Sequence, residues 1–585
     1  MARSRLNQVA EHLGATIIPN SDSTNAAPYQ ISEEPLGTTR RLRILGIGAG
    51  MSSMNMIRTL RLHLKDYEHV VYEKNPVLGG TWYENRYPGC KCDVPSHNYQ
   101  FSWRPNHEWK GFFSSASEIQ AYLLKVAEEE NMNRVIKTEH QIERAEWDEH
   151  KGQWNVKVRN LKSGDVFDDY AHFLLDSCGI LNNWKWPTIP GLHSFKGELI
   201  HSANWPETFN YKGKTLALIG NGSSGVQILP ELQKEAQHIV HFVRDPTWVV
   251  PSRLQLLVQG SGDNIIEEVE IDEDQDFTPA QVQRFKTDPA FYRKFVKAVE
   301  EVVNGNFPLQ TLKDTEFAAI LQEKAKEYMR EALNGDKHLC DAIIPKFPLG
   351  CRRLTPAISY LDSLQKPNVR VVTDPIKEIT AEGLLPTMGE TIKVDAIVCA
   401  TGFDVSFCPR FPIIGRNGNL QDIWTHNLPK SYMSCAVPDF PNYFTFLGPS
   451  APIGHGSVFT ITEHIAKYLT RIIKKCQMEK IKAVVPSHSA VDELFEHMQS
   501  FMSRTAWSGN CISWFKNGTL DGPVIALHPG SRIHFFHMLE TFRGEDWEYT
   551  YLKPKNRFQY LGNGFSTKEN SGEDSTWYLD HPDEL

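Results

Sequence analysis

Two glycine clusters, each following a short apolar strand, are the residues whose spacing most directly indicates chemistry. The first cluster is Gly48-Ala49-Gly50-Met51-Ser52-Ser53, and the second is Gly220-Asn221-Gly222-Ser223-Ser224-Gly225. Glycines at the first two positions allow a tight turn and let a pyrophosphate approach the backbone at a helix N-terminus, where the helix dipole favours negative charge. Both clusters therefore predict dinucleotide binding.

The first cluster favours FAD or NAD over NADP. Its third glycine is replaced by Ser53, which is still small enough for close helix packing. Glu73 lies 25 residues after Gly48, at the end of the second predicted strand. A carboxylate at that position accepts a hydrogen bond from a ribose hydroxyl and disfavours a 2'-phosphate. Because the strand, helix and acid are all in place, we interpret this cluster as a nucleotide site.

The second cluster favours NADPH. Its second strand ends in Val243-Arg244-Asp245, so an arginine stands where the first site has an acid. The Arg244 guanidinium can bind a 2'-phosphate through two hydrogen bonds. The neighbouring Asp245 disfavours a phosphate unless its carboxylate turns towards solvent, and Arg244 as a simple surface charge remains the alternative.

Two such sites in one chain predict a flavoprotein that takes hydride from a nicotinamide. The reduced flavin then needs an electron acceptor. Cys90-Lys91-Cys92 has one intervening residue, which argues against dithiol exchange, and these two cysteines lack partners for a metal site. Molecular oxygen is the acceptor that the sequence favours.

A long segment resembles the fingerprint of the class I flavin-dependent Baeyer-Villiger monooxygenases, F-x-G-x-x-x-H-x-x-x-W-P. It runs from Phe195 to Pro206 and places His201 and Trp205 at the histidine and tryptophan positions. The sister family that oxygenates nitrogen and sulfur usually has Tyr or Phe in place of this Trp. Further segments, such as Gly79 to Trp82 and Ala400 to Asp404, are similar to the same family, and the resemblance covers roughly residues 41 to 550.

The resemblance implies a pair of catalytic residues. Asp93, in Cys92-Asp93-Val94-Pro95-Ser96, resembles the carboxylate beside the flavin, and Arg353, in Gly350-Cys351-Arg352-Arg353, resembles the active-site arginine that pairs with it. An arginine supplies a positive charge that does not titrate near neutral pH, so it can stabilise oxyanions during the reaction. A structural ion pair with no further role is the alternative for Arg353.

The resemblance also assigns cofactor-binding residues. Arg352 is expected to bind the 2'-phosphate beside Arg244. His201 is expected at a domain connection, where it positions the nicotinamide domain rather than transferring protons. The remaining positions that match the family are FAD-lining residues and one mobile-loop residue over the nicotinamide: Thr81, Trp82 and Tyr99 for FAD, and Trp514 for the loop.

The activity that the resemblance implies is conversion of a ketone to an ester or lactone, with consumption of NADPH and O2. By family analogy, the substrate is expected to be a bulky polyketide or terpenoid ketone of secondary metabolism. Two alternatives stay open: a flavin monooxygenase that oxidises nitrogen or sulfur, and a non-catalytic nucleotide-binding redox sensor.

The elements that must position these residues form two βαβ units. The first has a strand at 41–47, a helix at 51–65 and a strand at 70–72; the second has a strand at 214–219, a helix to about 234 and a strand at 238–243. Amphipathic segments at 290–303 and 312–333 predict a helical insertion. The predicted fold class is α/β, with two Rossmann-like dinucleotide-binding domains, for FAD and NADPH, and a helical insertion.

The predicted domain limits follow from these elements. They are an N-terminal extension at 1–40, the first part of the FAD-binding domain at 41–206, an NADPH-binding domain at 207–394 with the insertion at about 255–340, the second part of the FAD-binding domain at 395–485, and a C-terminal segment with a mobile loop at 486–585.

Composition excludes several classes of protein. The 585 residues include 62 Lys and Arg against 71 Asp and Glu, a net charge of -9 that does not favour nucleic-acid binding. No signal-peptide core and no run of about 18 apolar residues is present, so we expect a soluble, cytoplasmic protein without a membrane span.

The ten cysteines are mostly single residues in apolar runs, which predicts a reducing compartment and no disulfides. The oligomeric state stays open.

Overall fold

The computed structural model describes residues 29–250, 265–271, 276–570 and 574–580. Parts of the predicted extension, insertion and C-terminal segment therefore lie outside the described residues. The strands are Leu42–Ile47, Tyr67–Tyr72, Ile136–Lys137, His140–Asp148, Gln153–Asn160, Val166–Ala171, Phe173–Asp176, Glu198–His201, Thr215–Ile219, His238–Phe242, Val249–Val250, Thr355–Pro356, Val369–Val372, Ile376–Ile379, Gly383–Pro386, Ile392–Lys393, Ala396–Cys399, Ile413–Ile414, Tyr443–Thr445, Ile481–Pro486 and Trp547–Tyr551.

The α-helices of the described residues alternate with these strands over much of the chain. They are Met51–His63, Thr81–Glu84, Ala116–Glu129, Ser223–Glu235, Ile265–Glu268, Pro279–Thr287, Pro289–Thr311, Glu316–Ala332, Lys337–Ile343, Ile358–Ser363, Leu420–His426, Val458–Met478, His488–Met502, Arg532–Glu540 and Thr567–Asn570.

The first parallel sheet carries the first glycine cluster. Its strand order is Tyr443–Thr445, Phe173–Asp176, Leu42–Ile47, Tyr67–Tyr72 and Ile136–Lys137. The central strand is covered on both faces, so it is apolar almost throughout. The second strand starts at Tyr67 rather than at residue 70, because Leu42 pairs with Tyr67 and the ladder extends the strand over polar residues.

The second parallel sheet carries the second glycine cluster. Its strand order is Val369–Val372, His238–Phe242, Thr215–Ile219, Ala396–Cys399 and Glu198–His201. The α/β fold with two Rossmann-like units is confirmed. By sheet membership, Glu198–His201 and Ala396–Cys399 both belong to this second unit, whereas the limits of 207 and 394 drawn from the sequence leave them outside it.

The helices of the insertion have clear local causes. Helix Pro289–Thr311 starts with proline at its first position and an Asp288 side chain that accepts from Phe291 N. Helix Glu316–Ala332 is capped by Thr315 and starts four residues later than the amphipathic pattern suggests. Leu312 between them instead forms a bridge with Thr505, which joins the insertion to the C-terminal segment.

Two further features complete the architecture. The long helix Val458–Met478 packs on the first nucleotide helix, Met51–His63, and both contribute buried apolar residues to the cores around the first sheet. Of the predicted N-terminal extension, Pro35 and Leu36 form bridges with the chain near residues 562–566. In the part of the chain that the structure describes, no helix combines the length and apolarity needed to cross a bilayer.

Candidate active site

The first glycine cluster forms an open helix N-terminus at the carboxyl edge of the first sheet. Gly48 has φ +85, and a Cβ there would meet Ser177 O at 3.2 Å, so the turn requires glycine. Gly50 precedes helix Met51–His63 and no side chain caps this helix. Ser53 donates its hydroxyl to Gly48 O and so stabilises the turn. The free backbone N–H groups suit a bound phosphate.

Glu73 lies at the end of the adjacent strand and is 3% exposed. Its carboxylate accepts hydrogen bonds from Ala49 N at 2.7 Å and from Asn75 N at 2.8 Å. Burial raises the pKa of Glu73, against the opposing effect of these two backbone donors. The acid is thus held at the glycine turn, as the ribose-binding prediction requires.

The second glycine cluster is shaped by contacts of its own backbone. Gly220 has φ +101, and a Cβ there would lie 2.5 Å from Ala400 O; a Cβ on Gly225 would lie 2.1 Å from Gly220 O. At Gly222, by contrast, a Cβ would meet nothing within 4 Å. No side chain caps helix Ser223–Glu235. The cluster therefore packs closely on one side and is open on the side where a dinucleotide pyrophosphate would lie.

Two arginines meet at the end of the second strand of this unit. Arg244 Nε lies 3.0 Å from Asp245 Oδ2, and Arg352 Nη2 lies 3.7 Å from the same oxygen. Asp245 therefore pairs with both guanidinium groups instead of turning to solvent. Arg244 is largely exposed, whereas Arg352 stacks on the Phe347 ring at 4.9 Å. The two guanidinium groups thus share one carboxylate, and a 2'-phosphate would have to displace Asp245 from them.

Arg353 and Asp93 form a two-hydrogen-bond ion pair across 260 residues of sequence. Arg353 Nε donates to Asp93 Oδ2 at 2.7 Å, and Nη2 donates to Oδ1 at 2.6 Å. Burial alone would raise the pKa of Asp93, but the Arg353 charge and its hydrogen bonds hold that pKa below its usual value. The attraction of Asp93 raises the pKa of Arg353 further above neutral. Both groups are therefore charged throughout the neutral range.

Aromatic residues predicted to line the FAD lie close to this pair. Thr81 and Trp82 begin the short helix Thr81–Glu84, which follows two glycines with positive φ. The Trp82 ring meets the Tyr99 ring edge-on at 5.5 Å. Burial raises the pKa of Tyr99, and the charges of Asp93 and Arg353 also act on this pKa, the first upwards and the second downwards. The aromatic rings and the ion pair therefore belong to one region.

His201 is a buried connection between two parts of the second unit. Its Nδ1 accepts from Ala203 N at 3.1 Å, so the proton resides on Nε2, which lies 3.3 Å from the Thr401 hydroxyl. The ring stacks on Trp184 at 4.6 Å. Burial lowers the pKa of His201 to about 4, and the neutral ring is suited to positioning rather than to accepting protons near neutral pH.

Trp514 lies in the one-turn helix Trp514–Lys516 of the C-terminal segment. Its described ring contact is with Phe515 at 4.7 Å, in its own turn, and not with the second glycine cluster.

The sequence analysis missed the neighbouring Lys516, which is 2% exposed and donates from Nζ to Gly509 O and Leu520 O. Burial and the charge of Arg352 lower the pKa of this lysine.

The expectation of no disulfides is wrong. Cys351 and Cys511 form a disulfide across 160 residues of sequence, and the other described cysteines are free. Both partners are buried, but neither lies in an apolar strand: Cys351 follows Gly350 before two arginines, and Cys511 precedes the Trp514 turn. Their position outside apolar strands was the sequence signal that these two cysteines differ from buried single cysteines. The pairing itself depends on the tertiary fold, because 160 residues separate the two positions.

Comparisons with known proteins agree with this geometry. Residues 41–256 match the family described as flavin-binding monooxygenase-like. The FAD-binding monooxygenase tazF of Aspergillus terreus is 37% identical, over 93% of this chain and 95% of that protein. A Baeyer-Villiger monooxygenase of Streptomyces coelicolor is 30% identical, over 88% of this chain and 93% of that protein.

A solved structure shows the same fold. The closed crystal structure of cyclohexanone monooxygenase superimposes with a TM-score of 0.72 at 25% identity, and the similarity covers 88% of this chain and all of that chain. The overall fold is therefore shared over most of this chain.

Proposed function

Because the chain belongs to the FAD-binding monooxygenases of the Baeyer-Villiger type, we propose that it converts a ketone into an ester or lactone with FAD, NADPH and O2. The observation that carries the proposal is the paired Arg353 and Asp93, a fixed cation held by a carboxylate. A flavin monooxygenase that forms esters needs such a charge for the oxyanions of the reaction.

The residues of the two glycine clusters fit the two dinucleotides. In the first unit, the uncapped helix after Gly50 and the buried Glu73 would hold the FAD pyrophosphate and ribose. In the second unit, the open backbone at Gly222 would hold the NADPH pyrophosphate, and Arg244 and Arg352 its 2'-phosphate. When bound, FAD supplies the redox chemistry that accepts hydride from NADPH and activates O2.

Arg353 contributes electrostatic stabilisation. Its guanidinium is planar, carries several N–H donors and uses two of them on Asp93, so its other N–H groups are available to oxygen atoms of the reacting ketone. The charge is in place before the reaction, which avoids the cost of reorganising solvent in the transition state. Lysine could not reproduce this planar arrangement.

Asp93 and His201 position other groups. Asp93 fixes the orientation of the guanidinium through two bonds, and its own negative charge moderates the cation. His201 bonds Ala203 N and Thr401, and so joins the fingerprint segment to the chain that follows strand Ala396–Cys399. We infer that these bonds order the two loops that follow the neighbouring strands Glu198–His201 and Ala396–Cys399 of the second unit.

The substrate is proposed to be a bulky ketone of secondary metabolism, of the polyketide or terpenoid class. The support is the similarity to FAD-binding monooxygenases over more than nine-tenths of the chain, together with a helical insertion between the strands of the second unit. Membership of the family does not fix the ketone, so the panel used to test activity must include large fused-ring ketones.

The test is product formation by the purified full-length protein. The preparation is reconstituted with FAD and supplied with NADPH, O2 and a panel of ketones. We expect ketone-dependent NADPH oxidation and a product that gains one oxygen atom, identified by mass as an ester or lactone. A thioether and a tertiary amine are assayed in parallel.

Two results would contradict the proposal. Oxygenation of the thioether or amine without any ester from the ketone panel would favour the nitrogen- or sulfur-oxygenating class. Stable FAD binding without oxygen-dependent NADPH consumption, with any compound of the panel, would favour a non-catalytic redox sensor.

A further inference from the structure

The Cys351–Cys511 disulfide joins two parts of the chain that carry candidate site residues. Cys351 immediately precedes Arg352 and Arg353, and Cys511 lies three residues before Trp514. The bond therefore links the loop of the two arginines to the segment 506–522, which we call the tethered segment. The predicted domain limits assign these two parts to different domains, so the link connects elements that the sequence separates by 160 residues.

Hydrogen bonds attach the tethered segment to the rest of the chain at few points. In the described chain, the loop and turn hydrogen bonds of its backbone all join residues between 505 and 526. Lys516, although buried, uses Nζ on two carbonyls of the same segment, Gly509 O and Leu520 O. A side-chain bond from Lys313 to Ser508 is long, at 3.4 Å.

Packing adds a second attachment that covers only part of the segment. Trp507 and Phe515 are buried in an aromatic and apolar cluster, and Phe307 and Ile453 from other parts of the chain pack against it. From Asn517 to Asp521 the side chains are exposed. The bridge itself fits tightly, because a Cβ added at Gly509 would lie 3.2 Å from the Cys351 sulfur. Cleaving it would remove the only covalent cross-link described for this chain.

We propose that the Cys351–Cys511 disulfide positions the tethered segment on the arginine loop, that its buried sulfurs undergo thiol exchange when this segment opens, and that the reduction loosens the nicotinamide dinucleotide site. The inference rests on the proposed function for the assignment of Arg352 to the 2'-phosphate. Reduction consumes two electrons and two protons, which an external dithiol supplies as it is itself oxidised to a disulfide. The two cysteines become free thiols, and oxidation by a disulfide reverses the step.

We call the tethered segment closed when it lies on the arginine loop as in this structure. The expected change in affinity for NADP⁺ follows from the fraction of molecules in which the segment is closed. With the bond intact, the segment is held on the arginine loop and the dinucleotide meets a preformed site. If reduction lowers the closed fraction to roughly 10–20%, the apparent dissociation constant for NADP⁺ rises about five- to tenfold, since it scales inversely with that fraction. A bridge that only stabilises the fold would leave the dissociation constant for NADP⁺ unchanged on reduction. A rise in this constant therefore shows that the bridge positions the dinucleotide site.

The experiment compares oxidised and dithiothreitol-treated FAD-loaded protein without a ketone. Alkylation and peptide mass spectrometry report the state of both cysteines, and titration with NADP⁺ gives the dissociation constant. Trypsin cleavage after Lys516, which is buried in the closed segment, reports its release. Cys511→Ser removes the bond without changing the arginine loop, and Cys408→Ser, at a half-buried free cysteine, is the matched control.

We expect dithiothreitol to raise the dissociation constant of the wild type about five- to tenfold and to accelerate cleavage after Lys516. Cys511→Ser should show both changes without the reductant, and Cys408→Ser should behave as the wild type. Because Cys511→Ser could also affect folding, wild-type protein reduced and then reoxidised must recover its original affinity.

Two outcomes would overturn the inference. One is alkylation of both cysteines in protein never exposed to a reductant. The other is an unchanged dissociation constant when mass spectrometry shows a fully reduced bridge. Failure of the proposed function has a separate signature, because a protein that forms no ester from any ketone could still show the redox-dependent affinity for NADP⁺.

Discussion

Replacement of Arg353 by alanine should abolish oxygenation while leaving reduction by NADPH in place. The arginine is the cation that the proposed reaction needs, and removing one preorganised donor to an oxyanion typically lowers kcat by about 10² to 10³, or roughly 3 to 4 kcal/mol. Hydride transfer depends on the second glycine cluster and its cations, which this substitution does not touch. Arg353→Lys keeps the charge but can reproduce only one of the two bonds to Asp93.

The structural cost of the same changes can be estimated from the pair. Each charge-assisted hydrogen bond contributes about 1.5 to 3 kcal/mol when buried. The Arg353 and Asp93 side chains are 34% and 21% exposed, so solvent screening lowers the expected loss for the lysine variant to about 1 to 2 kcal/mol. Urea unfolding of Arg353→Lys measures this loss of stability. The loss must be small enough for the variant to stay folded under the assay conditions.

The assay separates the two half-reactions. Anaerobic mixing with NADPH follows reduction by loss of the flavin absorbance, and aerobic incubation with a ketone follows ester formation by mass. Arg144→Ala, at an exposed ion pair with Glu146, is the control. Ester yield per NADPH in Arg353→Ala within threefold of the wild type would refute the assigned role, and so would a parallel loss of reduction.

Three further outcomes follow from the geometry. Because the folded pKa of Asp93 is depressed by Arg353, the pair stabilises the protein above pH about 4, the unfolded value, and the stability gap between the wild type and Asp93→Asn should close as pH falls below it in urea unfolding. Arg352→Ala should raise KM for NADPH about ten- to a hundredfold while KM for NADH changes little, as steady-state kinetics would show. Gly225→Ala places a Cβ 2.1 Å from Gly220 O, so equilibrium titration should show NADP⁺ affinity falling more than about tenfold while FAD content is retained.

The nucleotide units could be predicted from the sequence because their signals are local. A buried parallel strand must be apolar, a turn at positive φ needs glycine, and a helix that receives a phosphate follows directly in the chain. Gly48 and Gly220 both have the positive φ that this reasoning requires. The boundaries depend on pairing as well: Glu68 and His69 belong to the strand from Tyr67 because they pair with Arg43 and Ile44.

The sequence by itself determined the two glycine turns, their strands and helices, and the choice of an acid in one unit and an arginine in the other. The family resemblance implied that Asp93 pairs with Arg353, and the structure shows the bonds between them. Only the tertiary structure decided that Asp245 lies between Arg244 and Arg352 and that Cys351 is bonded to Cys511. The physical reason is range: turn and strand preferences act over a few neighbouring residues, whereas an ion pair or a disulfide depends on how distant segments pack together.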